Sequence, residues 1–180
     1  MLRRDRLLRV VILCQSVARN LAYYRVGFRK EFRHISNYSM HPESANFWTV
    51  ANANFIDMCV LEWCKLFADK KGKHYWGGIV ADPVGFESAF MHHLGLDAVA
   101  LAKEIEIMVR YRDKFLAHLD SDKTMNIPKL DIPMKAASFY YAYLIKYEAT
   151  GGVLASFDRE LDAMYEAFEK EAIAAYRKVR

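Results

Sequence analysis

The stretch that decides the fold is LGLDAVALAKEIEIMVRYRDKFLAHL, which spans residues 94–119. Large apolar side chains recur in it every seven residues, at Leu94, Leu101, Met108 and Phe115. A companion row with the same spacing comprises Ala98, Ile105, Arg112 and Leu119. Two neighbouring rows with this period are typical of one face of an α-helix. The pattern therefore predicts a helix from about Asp97 to Leu119, with an arginine in an otherwise apolar row.

Helical patterns also extend over the rest of the chain. A first helix is predicted from Leu7 to about residue 35, where apolar side chains again recur every seven residues. Further helices are predicted over about 42–69, 82–93, 134–150 and 156–178, separated by loops that contain glycine, proline and polar residues. No segment alternates strongly enough to predict a β-strand. The sequence therefore predicts one all-α domain over residues 1–180, built as a bundle of four to five helices.

The composition excludes several classes of protein. A chain of 180 residues that is 53% hydrophobic can bury one core and is not mainly disordered. Its 8 Gly and 4 Pro are too few for a many-stranded β-fold. The 3 Cys are an odd number without a CxxC pair, which argues against a disulfide framework or a zinc finger and favours a reducing, cytoplasmic setting. No apolar run is long enough to predict a membrane span.

Positive charge is concentrated at the start of the chain. Residues 1–34 contain nine Lys and Arg against two acids, although the whole chain carries a net charge of only +4. Within that segment Arg25, Arg29 and Arg33 follow one another at four-residue spacing and would form a stripe on a helix. Such a basic segment favours an anionic partner such as nucleic acid, or a second copy of the chain; the alternative is a solvated helix face.

Arg112 and His118 are the pair of side chains most suited to chemistry. An unpaired guanidinium is costly to bury, so Arg112 either pairs with a carboxylate or faces a cleft. On an ideal helix His118 lies about 120° around and about 9 Å along from Arg112, a gap that arginine can partly close. Arginine binds phosphate and histidine transfers protons near neutral pH. The pair therefore suits cleavage of RNA, whose 2′-OH supplies the nucleophile; the alternative is a structural Arg–Asp pair with a surface histidine.

Residues 112–118, RDKFLAH, resemble the R-x4–6-H signature of the HEPN superfamily, in which a polar residue directly follows the arginine. Residues 117–120, AHLD, are similar to the small-His-x-Asp ending of its bacterial abortive-infection branch. Residues 62–67, followed by His74-Tyr75-Trp76, resemble the end of the second helix in that branch. The resemblance covers roughly residues 42–150.

This resemblance implies a metal-independent endoribonuclease, often a toxin or antiphage effector, that acts as a homodimer with one cleft built from two motif helices. It implies that Arg112 contacts the scissile phosphate, that His118 is the general base or acid, and that Asp113 orients one of them. The RNA-binding residues would be Arg25, Arg29, Arg33 and Lys114, and a neutralising protein partner is possible in this class. Many HEPN domains lack nuclease activity, so the alternative is a non-catalytic module that dimerises and binds a protein or nucleotide partner.

No cofactor and no metal are expected. His118, Asp120 and Asp122 could meet at a helix end, but their spacing matches no known cation site. Glu-x-x-His pairs on inward helix faces, which metal-binding four-helix bundles use, are not found, and neither are nucleotide-binding and metalloprotease motifs. The tyrosines of the helix predicted over 134–150 are expected in the core, and base stacking is the alternative.

Overall fold

The computed structural model describes residues 2–117, 126–149, 152–157 and 160–179. These residues form six α-helices, which are α1 (Arg3–Gly27), α2 (Ala45–Phe67), α3 (Pro83–Leu94), α4 (Ala98–Tyr111), α5 (Asp131–Tyr143) and α6 (Leu161–Tyr176). No β-strand occurs in the described part of the chain, so the all-α prediction is confirmed. The predicted count of four to five helices is too low, because the short α3 is a full helix with its own caps.

Helix α1 lies at the centre of the bundle and contacts α2, α5 and α6. Its fully buried apolar side chains include Leu7, Val10, Cys14, Val17 and Leu21. The helix ends at Gly27, well before the predicted end near residue 35. Gly27 weakens the helix at this point, since glycine costs about 1 kcal/mol relative to alanine inside a helix. Phe28, which the seven-residue pattern places in the core, is 45% exposed.

Aromatic rings fill the space between α2, α3 and α5. The rings of Phe67 and Phe90 stack with centroids 5.5 Å apart, and Tyr140 meets Phe67 edge-on at 5.7 Å. Tyr140 and Tyr141 are fully buried, as expected for core residues, whereas Tyr147 is 57% exposed. Most of the aromatic content of α5 therefore serves packing, which is the usual use of large rings in a core.

Two caps fix the positions at which α3 and α4 begin. The Asp82 carboxylate accepts a hydrogen bond from the Gly85 amide at 2.9 Å, and the Asp97 carboxylate accepts one from the Ala100 amide at 2.8 Å. Between them Gly95 adopts a φ of +66°, which glycine tolerates without strain. This tight connection turns the chain back along α2 and sets the course of α4 toward Arg112.

Candidate active site

Arg112 lies where α4 changes into a π-helical turn, Arg112–Ala117. A π-helix has i→i+5 hydrogen bonds, and short π segments inside helices occur frequently at functional sites. The Arg112 side chain is 21% exposed. In its row, Ala98 is exposed and Ile105 is half-buried, whereas Leu101 and Met108 of the neighbouring row are buried. The row with Arg112 is therefore the rim of α4 and not its core, and a rim position tolerates a charge.

Two carboxylates hold the guanidinium of Arg112. Its Nη1 donates to Oδ1 of Asp69 at 2.6 Å, and its Nε donates to Oδ1 of Asp113 at 2.8 Å. The hydrogen bond to Asp113 raises the pKa of Arg112, and the bond to Asp69 adds to that rise against the opposing effect of burial. Arg112 is therefore a permanent cation whose side chain is oriented at two points.

Asp69 brings the end of α2 into the site. It lies just after α2, which ends at Phe67, and it is 43 residues away from Arg112 in sequence. The cluster of Arg112, Asp69 and Asp113, which we call the Arg112 cluster, combines one positive and two negative charges. An anion that reaches the guanidinium must therefore displace a carboxylate or approach past it.

A second polar contact fixes α4 against α2 near the cluster. The Tyr111 hydroxyl donates to Oδ1 of Asp57 at 2.8 Å. Burial raises the pKa of Tyr111, and the hydrogen bond to the Asp57 carboxylate raises it further. Because Tyr111 immediately precedes Arg112, this contact determines how the last α-helical turn presents the arginine.

Cys64 lies beside the cluster but is not a nucleophile. Burial raises the pKa of its thiol to about 12, although the positive charge of Arg112 acts in the opposite direction. A thiol with such a pKa stays protonated at neutral pH, and the thiolate is the reactive form. Cys64 is therefore a core residue, as are Cys14 and Cys59, both of which are fully buried.

The remaining residues of the sequence motif lie only partly within the described structure. Lys114 is half-buried in the π-helical turn. The side chains of residues 115–117 and the whole of residues 118–125 lie outside the described part, so the structure does not place His118 relative to Arg112. Asp120 and Asp122, the other members of the possible cation site, belong to the same segment.

The three arginines of the predicted RNA-binding stripe contact groups of the chain itself. Arg25 donates to Asp131 at 2.6 Å, Arg29 donates to Glu169 at 2.8 Å, and Nε of Arg33 donates to the Phe28 carbonyl oxygen at 3.0 Å. Because α1 ends at Gly27, Arg29 and Arg33 lie beyond it and do not continue a helical stripe. RNA phosphates would have to compete with two carboxylates for this surface.

Two acids that no sequence pattern marks as buried lie in the interior of the bundle. Glu148 is 2% exposed, pairs with Arg3 and accepts a hydrogen bond from the Ala81 amide at 2.7 Å. Glu62 is 8% exposed and accepts a hydrogen bond from Asn20 at 3.2 Å. A buried carboxylate is costly without such partners, so an acid inside an apolar stretch is the signal that could have revealed them.

Among the described residues no group of three His, Cys, Asp or Glu side chains is arranged to hold a metal ion. None of the described helices is both long and apolar enough to cross a membrane. The chain matches no protein-family model, no curated protein and no solved structure. The fold and the Arg112 cluster therefore define an all-α protein with a rim arginine held by two acids, and its function has to be inferred from this chemistry.

Proposed function

We propose that the protein is a metal-independent endoribonuclease of HEPN type. The observation that carries the proposal is the 2.8 Å hydrogen bond from Arg112 Nε to Asp113, together with the half-buried position of Arg112 on the rim of α4. This contact supports the proposal because the HEPN resemblance implies that the polar residue after the arginine orients a catalytic side chain. An oriented, permanently charged guanidinium stabilises the negative charge that develops on a phosphate during cleavage.

The reaction that suits these residues uses the RNA itself as nucleophile. The ribose 2′-OH attacks the adjacent phosphorus, the bond from phosphorus to the 5′-oxygen breaks, and a 2′,3′-cyclic phosphate and a 5′-hydroxyl result. His118 accepts the proton of the 2′-OH or donates one to the leaving oxygen. In a homodimer whose two motif helices share one cleft, the two copies of His118 divide these roles.

A toxin or antiphage effector is the proposed context for this activity. In that context the enzyme acts in the cytoplasm, where its RNA targets are, and a neutralising protein partner keeps it inactive. Burial of all three cysteines is compatible with that setting, because none of them depends on an oxidising compartment.

The chemistry is tested with purified protein and a short single-stranded RNA. Cleavage should persist in EDTA, and the products should carry a 2′,3′-cyclic phosphate and a 5′-hydroxyl. A matched substrate with one 2′-deoxy residue at the cut site should resist cleavage there, since its nucleophile is missing. Cleavage of the deoxy substrate at that site, or an absolute need for Mg²⁺, would contradict the mechanism.

The second candidate function is a non-catalytic HEPN-like module that dimerises and binds a protein or nucleotide partner. The observation that favours it is the 2.6 Å ion pair between Arg112 and Asp69. If this second function is correct, Arg112 stays paired with Asp69 and joins the ends of α2 and α4. The Arg112 cluster is then structural. The two candidates predict different effects for neutralising Asp69.

Asp69→Asn is expected to strengthen RNA binding about two- to fivefold, because it removes a carboxylate that competes with phosphate for Arg112. The affinity should be measured with a deoxy-substituted RNA at several salt concentrations, since one more phosphate contact steepens the salt dependence. The matched control is Glu106→Gln, which neutralises the acid of the exposed Arg110–Glu106 pair on α4. A lower melting temperature with unchanged RNA affinity would support the non-catalytic module instead.

A further inference from the structure

A cavity of about 190 Å³ opens between the end of α2, the segment after it, α3 and the first half of α4. Five aromatic side chains line it, which are Trp63, Phe67, Tyr75, Trp76 and Phe90. An engineered apolar cavity of about 150 Å³ accommodates a benzene ring, so this cavity has room for one flat ring system. It is too small for a ligand with several linked rings.

The aromatic wall of the cavity is rigidly supported. Phe67 and Phe90 stack with ring planes only 5° apart, and Nε1 of Trp63 donates to the Pro133 carbonyl oxygen at 3.1 Å. Tyr75 and Trp76 contact each other with ring centroids 5.2 Å apart. Because these rings are held by their neighbours, the cavity does not depend on a ligand to form. Trp63, Phe67 and Phe90 are at most 2% exposed, so a flat ring in the cavity stacks on Tyr75, which is half-buried, as bases do on aromatic side chains.

Two charged residues line the exposed side of the same cavity. They are Lys70, just after α2, and Glu87 on α3, and both are exposed. No ion pair joins either side chain to another group in the part of the chain that the structure describes, in contrast to Arg112. An ammonium donates to the ring nitrogen or carbonyl oxygen of a base, and a carboxylate accepts from an exocyclic amine. A wholly apolar ligand would form a hydrogen bond with neither Lys70 nor Glu87.

The cavity and Arg112 lie along the same side of α4. Ala98 and Ile105 line the cavity, and Arg112 continues their row seven residues after Ile105. That step corresponds to about 10 Å along the helix axis. Lys70 at the cavity also directly follows Asp69, the carboxylate that pairs with Arg112.

We propose that this cavity is a nucleobase subsite that takes up one base of an RNA strand whose phosphate lies at Arg112. The inference rests on the proposed function for its RNA partner. The small side chains of Ala98 and Ala102, both exposed, leave the entrance on the α4 side open. Stacking of the base on Tyr75, the half-buried ring of the lining, supplies affinity, and Lys70 and Glu87 orient the edge of the base.

Tryptophan fluorescence can report directly on the subsite. The chain has 3 Trp, and Trp63 and Trp76 both line this cavity, whereas Trp48 lines a different one beside α6. The full chain with Trp48→Phe therefore reports from the proposed subsite alone. The four ribonucleoside 5′-monophosphates should quench its fluorescence, and ribose 5-phosphate, which lacks a base, should not. Equal quenching by ribose 5-phosphate would overturn the proposal.

Blocking the entrance tests the location. In the Trp48→Phe background, Ala102→Phe should weaken nucleotide binding about tenfold or more, since it places a ring where the base would stack. Val99→Phe is the matched control, because Val99 is on the same helix, 79% exposed and outside the cavity. Lys70→Met should weaken binding and Lys71→Met should not, which keeps the test independent of helix α4. Affinities that Ala102→Phe and Lys70→Met both leave unchanged would overturn the proposal.

The source of the base is tested by competition with a single-stranded RNA. The RNA should displace the bound nucleotide from the Trp48→Phe protein, and an RNA that leaves the nucleotide bound would overturn the proposal. Failure of the proposed function gives a different result from failure of the subsite proposal. If nucleotides bind, Ala102→Phe excludes them and RNA displaces them, but the wild type cleaves no RNA, the subsite stands and the ribonuclease proposal falls.

Discussion

His118→Ala is expected to lower the rate of RNA cleavage by about 10²–10⁴-fold, the usual contribution of a general acid or base. The rate should be measured under single-turnover conditions, so that substrate binding and product release do not mask the chemical step. Binding of a non-cleavable deoxy RNA should stay close to that of the wild type, because histidine is assigned to proton transfer and not to affinity. His92→Ala replaces an exposed histidine of α3 and is the matched control.

The same assay distinguishes the role of His118 from that of Arg112. Arg112→Lys keeps a positive charge but loses the two-point contact with Asp69 and Asp113, so cleavage should fall while the melting temperature stays near that of the wild type. Arg110→Lys, on the exposed side of the same helix, should change neither. A His118→Ala protein that cleaves RNA at the wild-type rate would contradict the proposed mechanism, whatever Arg112→Lys does.

The seven-residue spacing of apolar side chains predicts which segments are helical. It does not predict where each helix ends, because the ends depend on tertiary contacts. The seven-residue row of Leu94, Leu101 and Met108 is buried, because a helical face has to be covered wherever the helix packs. The predicted end of α1 near residue 35 is wrong because Phe28 and Ile35 continue the spacing beyond Gly27. Ile35 is indeed buried, but in a short 3₁₀ turn after the helix, where it joins a separate small core cluster.

The contacts of the candidate site depend on residues that are distant in sequence. The sequence predicts a carboxylate partner as one of two outcomes for Arg112. Nothing in the sequence marks Asp69 as that partner, because their pairing requires the tertiary contact between α2 and α4. The same holds for Arg25 with Asp131 and for Arg29 with Glu169. Charge counting along one segment identifies cations but does not show which of them the fold already neutralises.

Phe86→Ala is expected to reduce the free energy of unfolding by about 3–5 kcal/mol, because it removes a fully buried ring from the centre of the aromatic cluster. Its ring lies within 5.5 Å, centroid to centroid, of five others, which belong to Trp76, Phe90, Phe139, Tyr140 and Tyr143. Few cores can close around a void of that size, so the cavity persists and its cost adds to the lost burial.

Denaturant unfolding of Phe86→Ala should show this loss as a lower midpoint with a similar slope. A decrease of that size is a large part of the about 5–15 kcal/mol that stabilises a typical domain. Val84→Ala, at a 79% exposed position of the same helix, should change stability by less than about 0.5 kcal/mol. Because Phe86 stacks on Trp76 at 4.9 Å, the variant should also weaken nucleotide quenching in the Trp48→Phe background. A loss below about 1 kcal/mol would mean that the ring cluster is not the stabilising centre of the α2–α3–α5 core.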